Sequence, residues 1–149
     1  MRKQSLNERA MNLLARREHS IKELRTKLVK AEFDLDDVND VIHKLTDANL
    51  QSDQRFTENY IRYRSQRGFG SQRIRQELKE RGVNTELISI ELDAAEIDWF
   101  SLAMTVRCKR FGESAPDDVK DKAKQQRFLQ YRGFTHEQIT ESFNTEYEK

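Results

Sequence analysis

The feature that most constrains this fold is a sequence pattern that returns about every fifty residues. A shift of 50 residues places Leu28 on Leu78, and a further shift of 51 places Leu78 on Leu129. Other positions agree in residue class: Leu24 with Ile74, Val38 with Ile88, Ile42 with Leu92, and Gly82 with Gly133. Such a period is typical of tandem repeats that stack on one another. We expect three of them, over residues 1–50, 51–98 and 99–149.

Each repeat has the apolar spacing of three short helices, and no stretch alternates like a strand. In the first repeat, Ser20 and Glu23 have the spacing of a capping box, and Asp34 is a suitable N-cap for the next helix. In the second, Gly82 fits the left-handed position after a helix, and Asn84 starts the next one. These signals, with only 5 Gly and 1 Pro in the chain, predict an all-α fold of three tandem three-helix repeats in a thin, extended arrangement.

The apolar sides of these helices should form the core. The expected core residues are Leu6, Ala10, Leu13, Leu14, Leu24, Leu28, Val38, Val41, Ile42, Leu45, Phe56, Tyr60, Tyr63, Ile74, Leu78, Leu87, Ile88, Leu92, Leu102, Ala103, Val106, Phe128, Leu129, Ile139 and Phe143. In the third repeat, the first helix should start near Asp98, and Pro116 should lie in the first turn of the second. Thr135 should open a further capping box, and we expect residues 144–149 to be frayed.

The composition excludes several classes of protein. Charged residues make up 36% of the chain and the mean hydropathy is -0.94, and no apolar run approaches the ~18 residues of a membrane-spanning helix. The N-terminal segment lacks the apolar stretch of a signal peptide. The single cysteine, Cys108, cannot form an internal disulfide, so we expect a reduced, cytoplasmic setting.

No catalytic constellation is visible in the sequence. His19 and His43 lie in the first repeat and His136 in the third, and we expect them at surface or half-buried positions rather than on a metal. Cys108 has no companion histidine, and the pair Gly68 and Gly70 lacks the strand and lysine of a nucleotide-binding loop. We therefore expect no catalytic residue, no cofactor and no metal, and a protein that is not an enzyme.

The chain instead concentrates positive charge in one stretch. Residues 55–81 hold eight Lys or Arg against three acids, whereas residues 82–98 hold five acids and no Lys or Arg. Arg64, Arg67, Arg73 and Arg75 have no acid four residues before them to pair with along a helix. Either these arginines grip an anion, for which their planar fork is suited, or they form a solvated face. The anion could be a nucleic-acid backbone or an acidic protein surface.

The segment FTENYIRYRSQRGFGSQRIRQELKERGV, residues 56–83, resembles the RecX family of RecA regulators. The stretches Ser20–Leu28 in the first repeat and Arg127–Phe134 in the third support this resemblance, which runs from about Leu6 to Phe143. It implies an elongated, curved molecule without enzymatic activity. It also implies binding in the helical groove of RecA filaments on single-stranded DNA. The consequence would be lower ATP hydrolysis, strand exchange and co-protease activity, with a role in DNA repair, recombination and the SOS response.

We expect a monomer that contacts RecA or DNA, with weak nucleic-acid affinity at most and no membrane binding. The contact residues that we expect are Arg62, Arg64, Arg67, Phe69 as a wedge, Arg73, Arg75, Lys79 and Arg81. The alternative is an autonomous DNA-binding protein built from helix-turn-helix-like units. Such proteins often have a pI above ~9, whereas the pI here is 7.8, which favours the protein partner. Reversing Arg73 and Arg75 to Glu should then weaken inhibition without changing helix content.

Overall fold

The computed structural model describes residues 4–144, and the chain in that range folds into nine α-helices with no strand. In chain order they are α1 (Leu6–Arg16), α2 (Ile21–Lys30), α3 (Leu35–Asp47), α4 (Asp53–Gln66), α5 (Ser71–Glu80), α6 (Thr85–Ala94), α7 (Trp99–Phe111), α8 (Val119–Arg132) and α9 (His136–Ser142). The prediction of an all-α fold is confirmed. Of the segment expected to be frayed, residues 145–149 lie outside the described residues.

Local capping signals start these helices where the sequence predicts. The Ser20 hydroxyl accepts the N–H of Glu23 at 3.1 Å, and the Glu23 carboxylate accepts the N–H of Ser20 at 3.2 Å. The same reciprocal pair forms between Thr135 and Gln138 at the start of α9. Asp34 caps α3 by accepting backbone N–H groups of its first turn. Each cap satisfies N–H groups that a helix cannot pair internally, which fixes its first residue.

The third repeat departs from one prediction. Helix α7 starts at Trp99, as expected, and Asp98 caps it by accepting the N–H of Ser101 at 3.1 Å. Helix α8, however, begins at Val119, so the placement of Pro116 in its first turn is wrong. Asp118 has an extended backbone and accepts the N–H of Asp121 at 2.7 Å. A side-chain acceptor on an extended residue is what an N-cap needs, and it outweighs the proline signal.

The chain divides into two compact units. The first unit contains the chain up to Asn59 together with Leu78–Glu91, and the second contains Tyr60–Glu77 and the chain from Leu92 onward. The core of the first unit includes Ala10, Leu24, Leu28, Val38, Ile42 and Leu45. The core of the second includes Ala103, Leu129, Phe134 and Ile139, with Leu102, Val106, Phe128 and Phe143 packed around them. Most of the expected core residues are thus buried or half-buried.

One of the core positions predicted on helix α4 is wrong, whereas Phe56 is buried as predicted. Tyr63 is 51% exposed, so its assignment to the core is wrong, while Ile61 is 1% exposed. The buried positions near the end of α4 are Ile61 and Ser65, four residues apart, which places them on one face of the helix. Tyr63 lies off that face, and its ring stacks against the guanidinium of Arg67 at 4.6 Å.

Within each unit, the end of one helix meets the start of another. In the first unit, the Ser20 hydroxyl donates to the carbonyl of Arg81 at 2.7 Å, next to the start of α2. In the second, the N–H of Gly70 donates to the carbonyl of Arg132 at 2.7 Å, where α8 ends at the start of α5. Both contacts satisfy carbonyls that the helix end leaves unpaired. The same kind of helix-end contact therefore occurs in both units.

Among residues 4–144, no helix combines the length and the apolar character needed to cross a membrane.

Candidate functional site

The predicted contact residues are divided between the two units. Arg62, Arg64, Arg67, Phe69, Arg73 and Arg75 belong to the second unit, whereas Lys79 and Arg81 belong to the first. The side chains of Arg62, Arg67 and Lys79 are exposed, and the other five are half-buried.

Glu77 neutralises part of the positive charge in the second unit. Its carboxylate accepts two hydrogen bonds from Arg64, at 2.9 and 2.8 Å, and one from Arg73 at 3.2 Å. The hydroxyl of Tyr60 donates to the same carboxylate at 2.9 Å. Burial raises the pKa of Glu77, but the hydrogen bonds from Arg64, Tyr60 and Arg73 outweigh it and hold the pKa below its ordinary value. A carboxylate held in this way orders both arginines.

Phe69 is the centre of an arginine cluster, which we define as Arg64, Arg73 and Arg132 around this ring. Their guanidinium carbons lie 3.7, 4.7 and 4.7 Å from the ring centroid. Guanidinium groups stack on aromatic rings because the ring face is electron-rich. The ring thus acts as a platform that positions three cations, and its role as a wedge stays a prediction.

Sequence reasoning missed Arg132 as a member of this site. The repeat register that aligns Leu78 with Leu129 also aligns Arg81 with Arg132, and that signal could have found it. The guanidinium of Arg132 donates to the carbonyl of Arg67 at 3.0 Å. Burial, and then the nearby charges of Arg73, Arg64 and Arg110, lower the pKa of Arg132 below its ordinary value. Arg132 therefore lies in a positive environment that is only partly compensated.

Two glycines bring the parts of the arginine cluster together. A Cβ at Gly70 would lie 2.5 Å from the carbonyl oxygen of Gly133, and a Cβ at Gly133 would lie 2.3 Å from the Cβ of Arg73. Because both glycines lack a Cβ, the start of α5 can approach the end of α8 closely enough for two hydrogen bonds. These join Gly70 N–H to the Arg132 carbonyl at 2.7 Å and Gln72 N–H to the Gly133 carbonyl at 3.0 Å. Gly70 and Gly133 thus serve helix packing.

A groove in the second unit adjoins this cluster, and we call it the basic groove. It has a volume of about 370 Å³ and is lined by Gln66, Arg67, Gly68, Leu102, Thr105, Val106, Lys109, Arg110, Phe128 and Arg132. Four of the lining residues are cationic, and none of the described lining residues is an Asp or Glu. Of the four cations, only Arg67 was among the predicted contact residues. The charge of this lining suits an anion, and the groove forms only because distant parts of the sequence meet in the fold.

In the first unit, Arg81 is held by its own carboxylate partner. Its Nε lies 3.7 Å from the Oε2 of Glu23, which also pairs with Arg17 at 3.0 Å. Burial raises the pKa of Glu23, but the hydrogen bonds from Arg17 and Ser20 and the positive charge of Arg17 lower it overall. The ion pair with Glu23 therefore holds the Arg81 side chain against the start of α2. Lys79 is exposed.

One expectation about the histidines is wrong. His19 is 1% exposed, rather than at the surface or half-buried. Its Nδ1 lies 3.0 Å from the Arg17 carbonyl, and its Nε2 lies 2.8 Å from the ammonium of Lys27. Burial lowers the pKa of His19 below its ordinary value, as does the nearby positive charge. Within residues 4–144, no three His, Cys, Asp or Glu side chains are grouped as a metal site would require.

Comparison with known proteins places these features in a family. Residues 8–45, 52–92 and 96–142 match the models of the first, second and third three-helix domains of RecX. Proteins named "Regulatory protein RecX" are similar. That of Halorhodospira halophila is 41% identical over 136 residues, covering 91% of this chain and 84% of the relative. That of Serratia proteamaculans is 42% identical over 156 aligned residues, covering 90% and 93%.

Solved structures are similar in fold. The crystal structure of RecX from Lactobacillus salivarius matches with a TM-score of 0.76 at 21% identity, covering 92% of this chain and 91% of that one. A second crystal structure, of a regulatory protein RecX, matches with a TM-score of 0.80 at 20% identity, covering 93% and 70%. The three matched domains span most of the chain, and the relatives exceed 40% identity over nine tenths of it. The chain therefore belongs to the RecX family.

Proposed function

We propose that this chain is a non-enzymatic regulator of the RecA recombinase. In this proposal it binds RecA filaments on single-stranded DNA and lowers their ATP hydrolysis, strand exchange and co-protease activity. The observation that carries the proposal is the match of all three three-helix domains to RecX, whose members in the comparison are named regulatory proteins. The protein acts in the cytoplasm as a monomer, and its repeats span residues 1–50, 51–98 and 99–149.

The proposed contact surface is the arginine-rich stretch, by which we mean residues 55–81. Its members divide into two roles. Arg64, Arg73 and Arg81 pair with carboxylates of this chain, so they shape the surface as well as supply charge. Arg62, Arg67 and Lys79 are exposed, and we assign them the direct contacts with acidic RecA surface or with DNA phosphate. Phe69 holds the guanidinium groups of the arginine cluster in place. Arg75 is the remaining residue of the proposed contact surface.

Reversing Arg73 and Arg75 to Glu is a poor test of binding, because Arg73 also holds contacts within this chain. Arg73 pairs with Glu77 at 3.2 Å and its guanidinium donates to the Tyr131 carbonyl at 3.2 Å. An Arg73→Glu change would place two carboxylates together and disturb packing as well as binding. Arg62→Gln with Arg67→Gln removes two charges from exposed positions instead. Lys120→Gln with Lys124→Gln is the matched control, because these side chains are also exposed and lie outside the arginine-rich stretch.

The test is RecA ATP hydrolysis on single-stranded DNA, with and without sub-stoichiometric amounts of this protein. The proposal expects the rate to fall, and the stoichiometry at half-inhibition distinguishes capping of filament ends from binding along the groove. An unchanged rate, with tight binding of this protein to DNA alone, would favour the autonomous DNA-binding alternative. A DNA affinity that falls steeply with salt concentration would then identify phosphate contacts as the main source of that affinity.

A further inference from the structure

The four cations of the basic groove lack the ion pairs that other arginines of this unit and of the first unit make. Arg64, Arg73 and Arg81 each pair with a carboxylate. Among residues 4–144, no ion pair involves the groove cations, which are Arg67, Lys109, Arg110 and Arg132. Arg132 is also half-buried, and burial, followed by its like-charged neighbours, lowers its pKa. Gathering cations in this way is unfavourable, and a bound anion would offset the cost.

The floor of the groove is apolar. Leu102, Val106 and Phe128 line it beside Gly68. A Cβ at Gly68 would lie 3.0 Å from a methyl of Val106 and 3.3 Å from the guanidinium of Arg132, so the glycine keeps this part of the floor open. The volume of about 370 Å³ corresponds to about a dozen water molecules at ~30 Å³ each. This space fits one apolar side chain with the backbone that carries it.

The floor offers little for a nucleic-acid base. Proteins that hold single strands use open aromatic faces on which bases stack. The aromatic residue in the groove is Phe128, and its ring already carries the guanidinium groups of Arg110 at 5.6 Å and Arg132 at 5.0 Å. Phe111 meets the same ring edge-on at 5.3 Å. The other apolar floor residues, Leu102 and Val106, are aliphatic, so the groove favours an aliphatic anchor over a base.

We propose that the basic groove binds a segment of a partner protein in which acidic residues flank one apolar side chain. The apolar side chain lies on Leu102 and Val106. The flanking carboxylates pair with Lys109, Arg110 and Arg132 around it. The inference goes beyond the proposed function, because it concerns mainly residues outside the arginine-rich stretch and does not require the partner to be RecA. Charge complementarity and a matching apolar floor select this occupant.

The experiment is a titration of the ¹⁵N-labelled full-length chain, followed by amide chemical shifts in two-dimensional NMR spectra. The probe is a synthetic peptide with a central leucine flanked on each side by three acidic residues. One comparison peptide replaces the leucine by serine, and another replaces each Asp or Glu by Asn or Gln. A thymidine oligonucleotide with the same number of negative charges is the nucleic-acid comparison. We expect the acidic leucine peptide to shift the amides of Gly68, Thr105, Val106 and Lys109 together.

A matched pair of variants localises the effect. Lys109→Gln with Arg110→Gln removes two groove cations, and we expect about tenfold weaker binding of the acidic leucine peptide. Lys120→Gln with Lys124→Gln removes the same charge from exposed positions of α8 and should leave the affinity within about twofold. Replacing leucine by serine in the peptide should also weaken binding about tenfold.

Three results would overturn the inference. One is a lack of shifts at the groove amides with the acidic leucine peptide. Another is equal binding to both pairs of variants, which would mean that the peptide senses only overall charge. The last is an oligonucleotide that shifts the groove amides at lower concentration than the peptide, which would make the groove a nucleic-acid site. None of these results depends on RecA, so the proposed function is tested separately.

Discussion

Gly70 has no room for a side chain, although its backbone conformation would accept one. A Cβ there would lie 2.5 Å from the carbonyl carbon and oxygen of Gly133 and 2.6 Å from the nitrogen of Phe134. All three are backbone atoms, so no side-chain rotation can relieve the contact. Gly70 is not among the positive-φ glycines, so alanine would suit its φ angle. A Gly70→Ala change therefore tests the close approach of α5 and α8 without adding backbone strain.

The expected loss of stability follows from three effects. Alanine restricts the unfolded chain, which stabilises the protein by about 0.4–1 kcal/mol. Forcing the two helix ends apart costs about 1–3 kcal/mol. It also weakens the hydrogen bonds from Gly70 to Arg132 and from Gln72 to Gly133, at about 1 kcal/mol each. Together these values predict that Gly70→Ala lowers the free energy of unfolding by about 2–5 kcal/mol.

The assay is urea unfolding followed by far-ultraviolet circular dichroism, with amide hydrogen exchange to localise the change. The Gln72 amide should lose protection, because it donates to Gly133 across the contact. Gln72→Ala is the control: its side chain is exposed and its N–H is kept, so stability should change by less than about 0.5 kcal/mol. A Gly70→Ala protein as stable as the wild type would refute the reasoning, because the close approach of the two helix ends would then cost no more than the entropic gain.

Three further predictions concern charge and packing. Since the pKa of Glu77 is lowered, its ion pairs stabilise the fold above the ordinary value of 4.5, and this stabilisation is lost as the pH falls below it. In urea unfolding, Glu77→Gln should therefore reduce the fall in stability at acid pH, and an unreduced fall would contradict this. Since the pKa of His19 is lowered, stability should fall as the pH drops below 6.5. Its imidazole NMR signals should then change at a lower pH than those of an ordinary histidine, and an ordinary titration would contradict this. Phe134 is 1% exposed, so Phe134→Ala should cost about 3–5 kcal/mol in urea unfolding, whereas exposed Gln130→Ala should cost less than about 0.5 kcal/mol.

The sequence predicts features that depend on neighbouring residues. The capping boxes at Ser20 and Thr135 form as predicted, because each needs only residues three apart. Pro116 was misplaced because its signal competes with Asp118, and only the backbone conformation shows which residue caps α8. Tyr63 was misplaced because an amphipathic pattern with several aromatic residues does not define which of them faces the core.

The candidate site was harder to predict because its contacts join distant positions. Glu77 lies thirteen residues after Arg64, so a search for acids four residues before each arginine could not find this pair. Arg132 reaches Phe69 only because Gly70 and Gly133 allow α5 and α8 to meet. The sequence thus located the positive charge, but the pairing of Arg64 with Glu77 and the position of Arg132 needed the three-dimensional structure.

The most direct test of the central claim is RecA ATP hydrolysis on single-stranded DNA across concentrations of three proteins: the wild type, Arg62→Gln with Arg67→Gln, and Lys120→Gln with Lys124→Gln. We expect the wild type and the lysine control to inhibit at the same concentration. The arginine variant should need about tenfold more protein for half-inhibition, because two rim charges are lost. Hydrolysis that the wild type leaves unchanged would contradict the proposed regulation of RecA. Equal inhibition by all three proteins would contradict the assignment of the arginine-rich stretch as its contact surface.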